Sequence, residues 1–144
     1  TLYLLKEQPP HAAPLITGVG VRLPAHLTAS GRAMLARLPR AQVRALYPDA
    51  AAFTDRTGRG PTTPGELRRL LEEERRQGWS IEDGQVTEGF VSVAAAASDH
   101  NGHPAAAISL TVPSARPVTP QALAGRARDA AAELTRRLDG RASP

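Results

Sequence analysis

No cysteine occurs in this chain of 144 residues, and lysine appears once, as Lys6. Without cysteine there is no disulfide framework, no thiolate metal site and no thiol nucleophile, and the composition fits a reducing compartment. Aromatic residues make up only 3% of the chain, too few for the stacking platforms that single-stranded nucleic acids use. No apolar run approaches the roughly 18 residues of a membrane span. The opening TLYLLKEQ has no basic lead and does not read as a secretion signal. It also has no initiator methionine, from which a piece of a longer protein is expected.

What remains is alanine-rich and arginine-rich. Apolar residues account for 41%, enough to build a core, and the length suits one domain. The net charge of +4 raises the question of nucleic acid. The arginines, however, are dispersed among acidic residues. Arg68, Arg69, Arg75 and Arg76 share their segment with Glu72, Glu73 and Glu74. Arginine in place of lysine, with much Ala, Gly and Pro, fits the codon usage of a GC-rich genome.

Local patterns divide the chain into an α+β order. Residues 2–5 and 14–23 read as strands, the second loosened by Gly18 and Gly20 and ended by Pro24. Residues 26–38 read as a helix with Thr28 or Ser30 as its cap, and 40–47 as a second helix turning Val43 and Leu46 inward. A Gly/Pro/Thr-rich stretch follows and reads as a mobile surface loop. Thr63 and Glu66 form a capping box around Pro64, opening a helix that buries Leu67, Leu70 and Leu71 and ends before Gly78. Its run Glu72–Arg76 reads as a solvated helix end. Residues 89–97 and 105–112 alternate as strands around DHNGHP. Thr119 and Pro120 open the last helix, whose stripe is Leu123, Ala127, Ala131, Leu134 and Leu138, with Gly140 and Pro144 beyond its end. Strands followed by helices, then strands and a helix, imply an antiparallel sheet with helices packed on it.

Strand alternation gives the first functional lead. Phe90, Ser92, Ala94 and Ala96 share one face, and Ala105, Ala107, Ser109 and Thr111 share a face of the next strand. The opposite faces carry Val91, Val93, Ile108, Leu110 and Val112 and want a covering helix. A face of three hydroxyls among alanines either meets solvent or forms a small pocket for a polar or anionic ligand. A solvated face usually carries Lys, Glu or Arg, and this one carries none. The helix start Thr28–Gly31 offers free backbone N–H groups, or is simply capped.

Catalytic patterns are absent. His11, His26, His100 and His103 have no partners at metal-ligand spacing, so no metal site and no cofactor is expected. There is no Gly-x-Ser-x-Gly elbow, no phosphate-binding loop and no dinucleotide fingerprint. Glu82 and Asp83 are adjacent and in a strand would face opposite ways, a poor acid–base pair. An enzyme is not expected.

Two stretches resemble the IclR family of bacterial transcriptional regulators. RLPAHLTASGRAMLARLP is similar to the family's LP-x-H-x-T/S-x-x-G-K-x-x-L-A segment. The stretch from Leu67 to Pro113, LRRLLEEERRQGWSIEDGQVTEGFVSVAAAASDHNGHPAAAISLTVP, is similar to its Gly-aromatic, acidic and Cys-x-Ala-Ala-Pro-Val signature. The resemblance implies a GAF-like antiparallel sheet flanked by helices, forming one effector-binding domain over 1–144 that lacks its first strand. It implies a cytoplasmic sensor of small organic acids or aromatic effectors, assembling as a homodimer or tetramer, with no membrane contact. DNA would be bound only through an N-terminal winged helix-turn-helix outside this chain. By position it puts ligand contacts on Ala29 and Ser30, an apolar wall on Leu15, Leu23 and Phe90, an acidic contact on Glu82, and hydroxyl contacts on Ser92, Ser109 and Thr111. The chain departs from the pattern at Arg32 (usually Lys), Gln85 (Glu), Ser92 (Cys) and Ala96 (Pro). An oligomerisation module with a degenerate pocket, or a small enzyme, are the competing expectations.

Overall fold

The computed structural model describes residues 1–10, 15 and 17–139. Pro14, Ile16, His11, Gly140 and Pro144, all invoked above, lie outside the described residues. The chain runs through α1 (Ala29–Leu35), α2 (Arg40–Leu46), a short 3-10 turn (Ala50–Ala52), α3 (Pro64–Gln77), β1 (Ser80–Asp83), β2 (Phe90–Ser98), β3 (Pro104–Pro113) and α4 (Pro120–Arg137). The three strands form one antiparallel sheet in the order β1-β2-β3. This is the α+β sheet-and-helix architecture that the order of patterns implies.

The register explains how both faces of the sheet are used. Val93 pairs with Leu110 and Ala95 with Ile108, so the bulky residues of both strands share a face. That face meets α4 through two clusters: Ala95, Ala97, Ala127 and Ala131 at one end, and Val93, Leu123 and Ala124 at the other. Alanine against alanine lets helix and sheet approach closely. Ala94 and Ala96, on the opposite face, lie under Ala29 and Ala33 of α1. The sheet is thus covered on both sides along much of its length.

Caps fall where the side chains provide them. Thr28 accepts from Gly31 N at 3.0 Å, Thr63 from Glu66 N at 3.3 Å and Thr119 from Ala122 N at 3.3 Å. Glu66 reaches back one residue beyond the usual capping-box partner, to Thr62 N at 2.8 Å. Gly78 ends α3 in the left-handed region at φ 79°, where a residue without Cβ is favoured. Gly125 lies in mid-α4 with open space where a Cβ would be. Gly125→Ala is therefore expected to stabilise the chain by about 0.5–1 kcal/mol, read as a higher denaturation midpoint at unchanged m-value.

Several expectations need correction. Residues 2–5 and 14–23 read as strands, but among the described residues they meet only in an isolated bridge, Leu2 with Arg22, flanked by bonds from Tyr3 N to Val21 O and Leu23 N to Thr1 O. Leu46 and Leu138 are exposed rather than inward. The stretch after α2 is anchored: His26 Nε2 lies 2.9 Å from Thr54 O, and the His26 ring packs edge-on against Tyr47 and Phe53.

The largest correction concerns the charged end of α3. Glu74 is buried, paired at 3.0 Å with the fully buried Arg32 of α1. The Arg32 guanidinium also donates to His26 O at 3.1 Å, Leu27 O at 3.2 Å, Gln85 Oε1 at 2.6 Å and Ile81 O. One side chain therefore ties α1 to α3, to β1 and to the turn beyond it.

Candidate functional site

β1 is only four residues long, yet it decides the site. Glu82 stands opposite Ser92, and Ser92 stands opposite Thr111. Directly opposed residues share a face. Glu82, Ser92 and Thr111 therefore form one polar row across all three strands, on the face that α1 covers further along. The next row runs Ser80, Ala94, Ser109. Ser92 Oγ and Thr111 Oγ1 are 2.9 Å apart, a hydroxyl–hydroxyl hydrogen bond.

A cleft opens over this row. Its floor is Glu82, Ser92, Ser109 and Thr111; its sides are Phe90 at the start of β2, Val86 and Thr87 from the β1–β2 turn, Thr28 and Ala29 from the start of α1, and Tyr3, Leu15 and Thr17 from the first segment. Of the contacts carried over by resemblance, Leu15, Ala29, Glu82, Phe90, Ser92, Ser109 and Thr111 thus come together. Two do not reach it. Leu23 packs one layer behind, against Leu27 and Val86. Ser30, whose backbone N–H at the helix start is the contact the resemblance implies, is buried and is not among the lining residues, although its side chain lies beside the Tyr3 phenol that is. Tyr3, Thr17, Val86 and Thr87 are lining residues that sequence patterns miss. They come from a turn and an irregular segment, where no periodicity marks a face.

The electrostatics of the cleft are set by Glu82 and Tyr3. Glu82 is buried, and its Oε1 accepts from Gln85 N at 2.6 Å and Val86 N at 2.9 Å. The carboxylate thereby holds the β1–β2 turn while presenting negative charge beside the hydroxyls. Burial pushes the Tyr3 phenol above its usual range; the Ser30 hydroxyl opposes this, and the Glu82 charge adds to it. Tyr3 therefore keeps its proton at neutral pH. The cavity itself is small, about 20 Å³. That is room for about one water molecule. Among the described residues no group of three or more His, Asp or Glu could hold a metal ion, and no helix is long and apolar enough to cross a membrane.

Comparison with known proteins gives the site its setting. Residues 1–136 match the family described as Bacterial transcriptional regulator IclR C-terminal. The chain belongs to the IclR family. Among its relatives, the Transcriptional repressor IclR of Escherichia coli is 32% identical over 108 residues, covering 74% of this chain and 38% of that protein. The Glycerol operon regulatory protein of Streptomyces coelicolor is 33% identical over 93 residues, covering 65% of this chain and 35% of that protein. Among solved structures, the Agrobacterium tumefaciens repressor BlcR superposes with a TM-score of 0.79 at 28% identity, over 86% of this chain and 51% of that one. This IclR-family chain thus spans little more than a third of the curated relatives it matches, and its match is to the C-terminal part that the family description names. Its relatives are transcriptional regulators.

Proposed function

We propose that this IclR-family domain senses a small organic acid or aromatic effector in the cleft over Ser92. The observation that carries the reading is the row Glu82–Ser92–Thr111, with Ser109 beside it, closed in by apolar walls at Phe90, Val86 and Leu15. The hydroxyls of Ser92, Ser109 and Thr111 would hold the ligand's carboxylate: Ser109 and one of the Ser92–Thr111 pair can donate to it while that pair stays bonded, and all three only if the pair's mutual bond is given up. Glu82 disfavours a second negative charge at its own end of the row, so the effector's other end is apolar or carries a hydrogen-bond donor. Ala29 forms the wall opposite the sheet.

DNA would be contacted by a part of the protein outside this chain, in the bacterial cytoplasm, with the domain assembled as a dimer or tetramer. Effector binding shifts DNA affinity only by as much as it favours one assembly over the other. The domain is read as a sensor, not an enzyme.

The test is a thermal-shift panel of small carboxylic and aromatic acids, followed by calorimetry on any acid that raises the melting temperature. Ser92→Ala and Ser109→Ala are each expected to weaken that acid by about tenfold, since a hydrogen bond to a charged group is worth roughly 1.5–3 kcal/mol. Unchanged affinity in both variants would remove the cleft as the site. The small cavity supports one competing reading, an oligomerisation module with no effector, which a panel without any hit would favour.

A further inference from the structure

A second cavity lies away from the Ser92 cleft, between α2 and α3. It measures about 380 Å³, within the size range of small-molecule sites. Its floor is apolar: Leu35, Leu67 and Leu71 from α1 and α3, with Val43 and Tyr47 closing the α2 side. Its rim is cationic, with Arg40, Arg44, Arg68 and Arg75 around it and Glu72 as its one acid.

The arginines are differently engaged. Arg40 pairs with Glu72 at 3.0 Å. Arg75 donates to Ala36 O at 2.6 Å and Leu38 O at 2.7 Å, which fixes its position without neutralising its charge. Arg44 and Arg68 form no ion pair among the described residues. The groove thus carries a surplus of positive charge over a greasy floor. α2 also buries none of its residues completely. A seven-residue helix is too short to hold by itself and depends on what packs against it. An occupant of the groove would complete that packing.

From this combination we infer a second ligand site that takes an amphipathic monocarboxylate, its apolar body on Leu67 and Val43 and its charge among Arg44, Arg68 and Arg75. A polyphosphate would leave the apolar floor unmatched, and a neutral hydrocarbon would leave the arginines unused. Charge complementarity therefore favours the carboxylate over both.

The probe is sodium octanoate, titrated into the methyl-labelled chain and followed by two-dimensional NMR. Saturable shifts are expected at the methyls of Val43 and Leu67, while those of Val86, in the other cleft, stay in place. Arg44→Ser with Arg68→Ser is expected to weaken binding about five- to tenfold, because each exposed charge contributes modestly. 1-Octanol should bind less tightly than octanoate. The inference is overturned by shifts at Val86 without Val43, by equal binding of octanol, by full affinity in the double arginine variant, or by no saturable shift. It is also overturned if dilution, not octanoate, moves the Val43 signal, since a second copy would then cover the groove. The Val43 and Leu67 signals, the octanol comparison and the arginine variant report on this groove alone, while Val86 reports separately on the cleft over Ser92.

Discussion

Glu74→Ala is expected to lower the stability of the chain by about 3–5 kcal/mol, the usual penalty for leaving one partner of a buried ion pair alone. For a domain of this size that corresponds to a fall in Tm of about 10–15 °C by calorimetry. The reason lies in Arg32, which is fully buried and cannot shed its charge. Its four remaining acceptors are neutral oxygens, at His26, Leu27, Ile81 and Gln85. They satisfy hydrogen bonds but do not balance a cation. Glu72→Ala, two residues earlier, breaks an exposed pair with Arg40 and is expected to cost less than about 1 kcal/mol. Equal losses in the two variants would contradict the assignment. Glu74 also has a pH signature. Burial pushes its carboxyl above the ordinary range, and the Arg32 charge and hydrogen bond pull it back only in part. A folded carboxyl that holds its proton longer than the unfolded one contributes stability at acid pH. That contribution falls as pH rises above the normal carboxylate range. Glu74→Gln should flatten this part of the stability–pH curve.

Gly31→Ala is expected to reach or exceed the upper end of the roughly 1–3 kcal/mol that overpacking usually costs. A Cβ at this position would lie 2.4 Å from Ala25 O, 2.5 Å from Ala25 Cα and 2.5 Å from Thr1 Oγ1. Two of these atoms are backbone, so no rotamer change relieves the contact. The first turn of α1 would have to move away from the segment before it. That turn carries Thr28 and Ala29 onto the cleft and Arg32 into the core, so the disturbance would spread to both. Denaturation midpoints compare it with Gly65→Ala, in the first turn of α3. There a Cβ meets nothing within 4 Å, and a neutral or small stabilising effect is expected. A Gly31→Ala protein as stable as the parent would mean that α1 does not approach Ala25 this closely.

Strand periodicity makes the hydroxyl face legible without any structure. Ser92, Ser109 and Thr111 fall on one face because every second residue must, and the paired strands keep that face in register. Periodicity does not reveal that Glu82 completes the row. β1 is too short for its pattern to register, and its pairing with β2 depends on the length of the turn between them. Leu23 sits in the right segment but one layer too deep, packed behind Val86. Burial depth depends on how α1 and the first segment pack together, which no local pattern encodes. Glu74 is the clearest failure of local reasoning. Within EEERR it looks solvated like its neighbours, and only helical phase together with a buried arginine 42 positions earlier separates it from Glu72 and Glu73. The first residues are a similar case: read as strands, their described part forms one isolated bridge, Leu2 with Arg22.

The space over Ser92 has a consequence for the threshold of the proposed sensor. With room for about one water in this form, the cleft would have to widen to admit the proposed effector. The apparent affinity would then be the intrinsic affinity scaled by how often that wider form is visited. A rarely opened cleft would remain silent at background metabolite levels and respond only above them. The closing walls, and not the hydroxyl row, would set the concentration at which the regulator changes state.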